Sequence, residues 1–258
     1  MNTMNSPTDI DSRSSRTKLR NTQFVRVVQI MLQDQPRLRR LILLGTPLLT
    51  GILLLFHPRP GSAEMGPVEG AGGMDVFALL APVAGAFLAV HVLFAPALAL
   101  LGLSVILLLN GVRGIAAKIS RVSAFVFIVT YIMYETIIGT VPALLVRGAA
   151  ALSPDEQAVI SGAVNRIFAD PILGDPSLLY GMASLSWPLA VILAAFALRR
   201  SGKPRVPCIL LGLSFIFTFH ASLLGSAGML LFLLAVVGIE RAGSPVMASK
   251  EYRSIPSA

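Results

Sequence analysis

The chain has 258 residues, of which 55% are hydrophobic and only 13% charged, with a formal net charge of +8 at pH 7 and a mean hydropathy of +0.77. A soluble domain carries about 25% charged residues, so the composition argues against a soluble fold; the single cysteine, Cys208, excludes an intrachain disulfide and a cysteine-based zinc site. The basic excess does not call for a nucleic-acid partner, because it is sorted by position: 18 of the 21 Lys and Arg residues lie in the N-terminal tail or in every second gap between apolar runs, and only Arg59, Arg147 and Arg166 lie in the alternate gaps. This is the positive-inside pattern of a polytopic membrane protein.

In chain order, 1–40 is a polar tail rich in Ser, Asn and Arg. It lacks the apolar stretch and small-residue cleavage site of a secretory signal and is expected to be retained and cytoplasmic. Within it, Phe24, Val27, Val28, Met31 and Leu32 fall at helical spacing opposite Arg26, Gln29 and Gln33, which predicts an amphipathic surface helix over 22–34. Arg37, Arg39 and Arg40 then lie at the inner head groups.

The first span is 41–56, about 24 Å at the helical rise and short enough to need snorkelling by its flanking arginines. A Pro- and Gly-rich outer loop runs to Asp75. The uncharged run 76–109 is too long for one ordinary span and short for two. Charge decides: a hairpin here would flip every later basic gap outward, so one span over 85–109 is expected, with an apolar lead-in on the outer surface.

The third span is 122–146. After it, Ser153-Pro154-Asp155-Glu156 reads as an N-cap, a Pro at the first helical position and a capping-box Glu, predicting a surface helix from Pro154 to Ala169 that ends at Asp170-Pro171. The fourth span is 179–198. The uncharged run 207–239 is read as a hairpin of two short spans, 207–221 and 223–239, before a tail over 241–258. The expected fold is therefore all-α: a six-span membrane domain over 41–240, multi-pass in the cell membrane, both termini cytoplasmic, with short interfacial helices.

Glu135 stands alone as an acid in the middle of an apolar run, with 13 residues between it and Arg121. An ionised carboxylate at mid-membrane costs at least a few kcal/mol, so it requires protonation, a partner or water. Tyr131 and Gly139, at i−4 and i+4, share its helical face. His91, His220 and Trp187 fall in the outer halves of their spans. Glu135, His91, Tyr131, Trp187 and His220 are thus the candidate ligand or proton pocket, open to the outside. Of these, His91, Glu135 and His220 also supply two nitrogens and an oxygen, the donor number of a catalytic zinc site, although without local spacing such as HExxH. Gly111-Val112-Arg113-Gly114 is not followed by the Gly-Lys pair at the spacing of a phosphate loop.

With His91, the Tyr131 to Glu135 segment and Gly139, the Leu152-Ser153-Pro154 helix start, Ser186-Trp187 and His220, the chain resembles an uncharacterised family of bacterial six-transmembrane-helix integral membrane proteins with no established activity. The resemblance implies the fold and one shared polar site, and no substrate. The expected function is binding or transport of a small ligand or ion from the outer side, with the lipid bilayer as partner and no cofactor. The alternatives are a metal-dependent intramembrane hydrolase acting on lipid, with zinc as the alternative cofactor, and a non-catalytic accessory subunit.

Overall fold

The computed structural model describes residues 35–57, 75–219 and 222–242. The surface helix expected over 22–34, the rest of both tails and His220 lie outside the described residues. Every regular element among those described is helical, and five helical runs are long and apolar enough to cross a membrane: Pro36–Leu55, Val76–Leu108, Ile115–Ala149, Leu178–Arg200 and Leu223–Ala242. A sixth apolar run, Arg205–Phe219, is shorter.

Contacts divide the chain into two units, 1–41 and 42–258. In the first, the described helix is α1, Pro36–Arg40, with Pro at its start and Arg37, Arg39 and Arg40 in its only turn. The second holds α2 (Thr46–Leu55), α3 (Val76–Leu80), α4 (Ala84–Leu108), α5 (Ile115–Tyr134), α6 (Val141–Ala149), α7 (Pro154–Ala169), α8 (Leu178–Arg200), α9 (Arg205–Leu213) and α10 (Leu223–Ala242).

Proline explains most of the irregular turns between these helices. A helical proline lacks an N–H and its ring collides with the carbonyl four residues earlier, and widening or tightening the preceding turn relieves both faults. A π-helical turn at Leu41–Gly45 precedes Pro47, a 3₁₀ turn at Ala81–Val83 contains Pro82, and a second π-helical stretch, Glu135–Thr140, precedes Pro142. Pro188 sits inside α8 without such a turn. The Ser184 carbonyl that it deprives of a helical donor accepts a hydrogen bond from the Thr218 hydroxyl at 3.3 Å instead. A neighbouring segment thus satisfies a backbone group that lipid could not.

The most extensive helix pairing is α5 against α8. Ala117, Ala124, Ala183, Ala190 and Ala194 are fully buried, and these small side chains let the two backbones approach. The Ser120 hydroxyl then reaches the Ala190 carbonyl at 2.7 Å. At the loop end of this pair, Arg121 Nη2 donates to the Leu109 and Val112 carbonyls at 2.5 and 2.8 Å, closing the C-terminal end of α4. On the other side of α8, the 3₁₀ segment Ser214–Phe219 lies so close to α10 that a methyl group at Gly228 would meet the Phe217 backbone.

Helix α7 begins where a capping pattern places it. Glu156 accepts from the Ser153 amide at 2.9 Å and its hydroxyl at 2.6 Å, and these bonds hold the carboxyl below its ordinary pKa. Its inner face is pinned to the start of α3. Asp75 caps α3 through the Phe77 and Ala78 amides and accepts from Ser161 and Asn165, while the Asn165 carbonyl oxygen takes the Val76 amide at 2.9 Å. Val164, Ile160 and Phe168 pack there with Val76, Leu80, Phe87 and Val146.

Candidate functional site

Three elements build the site. The π-helical turn after α5 carries Glu135, α4 carries His91, and the end of α2 leads into His57. The carboxylate is 2% exposed and His91 4% exposed, and His91 Nε2 stands 3.4 Å from Glu135 Oε2. The other ring nitrogen, Nδ1, lies 2.7 Å from the Phe87 carbonyl. A carbonyl can only accept, so Nδ1 carries a hydrogen and Nε2 is the nitrogen turned toward the acid.

The chemistry follows from that tautomer. With one further proton the pair is either imidazolium and carboxylate or neutral imidazole and carboxylic acid, and both forms are neutral overall. Without that proton the pair carries a buried negative charge. The arrangement can therefore hold one proton at low cost and release it only to another acceptor or to water.

The sequence permits this approach through Gly139, one turn beyond Glu135 on the same face. A Cβ at this position would overlap the His91 ring, with its Cβ, Cγ and Cδ2 as the nearest atoms. The π turn sets the register: Glu135 opens it and Gly139 lies within it. Pi-helical turns of this kind are frequent at functional positions.

His57 is the residue that sequence reasoning missed, having been taken as the first residue of the outer loop. Its ring centroid is 5.0 Å from that of His91, 5.9 Å from Phe87 and 5.8 Å from Phe94, and Phe87 stacks on His91 at 3.9 Å. The chain has only three histidines, and two of them share this aromatic pocket; that scarcity was the available signal. Tyr134 and Tyr180 were also not singled out. Their rings are 5.5 Å apart, so aromatic side chains extend from beside Glu135 to the first turn of α8.

Of the five residues singled out from the sequence, His91 and Glu135 come together. Tyr131 lies one turn before Glu135, buried, with its ring 4.9 Å from Phe127 and 6.2 Å from Tyr134. Trp187 is wholly buried in the aromatic core, 5.0 Å from Phe127 and 5.4 Å from Phe217, and its indole N–H donates to the Ser214 carbonyl at 3.1 Å. His220 lies outside the described residues. As to metal, no group of three or more His, Cys, Asp or Glu side chains among the described residues is placed to hold an ion.

No protein-family model matches the chain, and neither a curated protein nor a solved structure matches it.

Proposed function

We propose that this is a six-span membrane protein of the bacterial cell membrane that binds or transports a small ligand or ion from the outer side, with a proton held by the His91–Glu135 pair. The observation that carries the reading is that pair, buried at 3.4 Å beside a glycine whose missing side chain makes room for it. Desolvating two ionisable groups costs several kcal/mol per ion when they are charged, and a well-packed apolar pair of the same volume is often the more stable alternative.

Six spans and inward termini follow from Arg205–Phe219 acting as a crossing. Its nine α-helical residues and six 3₁₀ residues extend about 25 Å at rises of about 1.5 and 2.0 Å, close to the roughly 30 Å of the hydrocarbon core. The alternation of basic gaps requires this crossing, because without it Arg241 would lie opposite Arg199 and Arg200.

A second reading has its own observation. A metal-bound histidine usually donates its other ring N–H to a carbonyl or carboxylate, as His91 does to Phe87. Two ligands about 2.0–2.1 Å from one tetrahedral zinc stand about 3.4 Å apart, the spacing found between His91 and Glu135. The pair would supply two of the three protein ligands that a catalytic zinc takes, and on that ground the metal-dependent lipid hydrolase is kept as the alternative.

Infrared difference spectroscopy of the purified protein between two pH values tests the proposal. The expected result is a carboxyl band that vanishes in Glu135→Gln and moves in His91→Ala. A difference spectrum unchanged in Glu135→Gln overturns the proton-linked reading. Stoichiometric zinc that is lost in His91→Ala would replace it with the hydrolase.

A further inference from the structure

We infer that the groove at the turn from α4 into α5 binds the phosphate head group of an anionic phospholipid. The groove, about 420 Å³, is lined by Val112, Arg113, Gly114, Ile115, Lys118 and Arg121. Three of these six residues are cationic and none is acidic, so the charge around the groove favours an anion, while the surface of the groove itself is mainly apolar. Arg113 and Lys118 are exposed and free to turn toward a ligand. Arg121 is held in place by the Leu109 and Val112 carbonyls, while its Nε, sealed from solvent, has no hydrogen-bond partner among the described residues. The groove thus presents two adjustable cations, with Arg121 as a fixed positive charge in its lining.

What selects a lipid over a free phosphate is the surface that continues from the groove. Ile115, Ile119, Val122, Phe125, Val129 and Met133 are all exposed, and their spacing of three or four residues makes one apolar stripe along α5. The stripe starts at the groove and leads into the membrane, as a track for acyl chains whose phosphate sits among the cations. Basic pockets at the cytoplasmic ends of membrane helices recognise acidic head groups through these same forces. The inference does not depend on the proton-linked reading of the His91–Glu135 pair.

Native mass spectrometry of the detergent-purified full chain tests it, with phosphatidylglycerol, phosphatidylcholine of matched acyl chains and inorganic phosphate as probes. Phosphatidylglycerol should be retained about tenfold more tightly than phosphatidylcholine. Combined Arg113→Gln and Lys118→Gln should abolish that preference, Lys118→Arg should keep it, and Arg200→Gln with Lys203→Gln in the other basic loop should leave it intact. Equal retention of the two lipids overturns the inference, as does a preference that survives the double substitution. Displacement of phosphatidylglycerol by equimolar inorganic phosphate would mark a site for free anions and overturn it as well.

Discussion

Glu135 and His91 can be separated energetically by what each loses when the other is removed. Deleting one member of a buried ion pair strands the other and costs about 3–5 kcal/mol, whereas replacing both with apolar residues is often neutral. Gly139 belongs to the same unit, because a side chain there needs the space of the His91 ring, and overpacking of this kind costs about 1–3 kcal/mol. Gly139→Ala should therefore lower the unfolding midpoint in wild type and have little effect in a His91→Ala background, where the methyl group finds room. Additive losses in the two backgrounds, measured by thermal unfolding in detergent, would contradict the contact. Glu135 was legible in the sequence because a lone acid in an apolar run needs a reason, and Gly139 because it falls one turn away. His57 was not, since its position just past an apolar run reads equally well as loop; only the fold brings its ring to His91. Trp187 was read as a pocket residue, whereas the structure holds it in an aromatic core assembled from three different helices and a 3₁₀ turn, with its indole N–H on the Ser214 carbonyl.

At the scale of elements, the apolar runs themselves were the clearest signal, and the breaks inside them the weakest. Pro82 and Pro142 lie in plain view, yet a proline in a membrane helix can be met by a kink, a π turn or a neighbouring hydroxyl, and the choice depends on packing. The site owes its register to the π turn at Glu135–Thr140, while Pro188 is accommodated through Thr218. The start of α7 was readable at residue level because Ser153-Pro154-Asp155-Glu156 specifies local hydrogen bonds, which the Ser153 and Glu156 contacts supply. Arg205–Phe219 is the element with most at stake. If it crosses the membrane, positions 201 and 242 lie on the same side, and if it does not they lie on opposite sides. In a Cys208→Ala background, Ser201→Cys and Ala242→Cys in right-side-out vesicles should both resist a membrane-impermeant thiol reagent, while Gln157→Cys is labelled. Labelling of Ala242→Cys alone among the first two would remove the sixth span.

For the whole molecule, composition and the alternation of charge establish an all-helical membrane protein with little ambiguity, because the bilayer leaves a helical chain few other ways to satisfy its backbone. The meeting of α4 with the turn after α5 could not be read in the same way. Helix-to-helix distances depend on where small residues such as Ala117, Ala124, Ala190 and Ala194 let backbones close, and many pairings are compatible with one set of spans. The central claim is that the packed domain carries a proton at His91 and Glu135 as part of moving or binding a small solute. Its most direct test is the full chain reconstituted in lipid vesicles with a trapped pH indicator, with sodium and potassium gradients imposed in turn. The account predicts an interior pH change driven by one of these gradients, abolished by Glu135→Gln and retained by Arg147→Gln near the C-terminal end of the same helical run. Glu135→Gln vesicles that match wild type across the pH range, or wild-type vesicles that behave as protein-free ones, would contradict it.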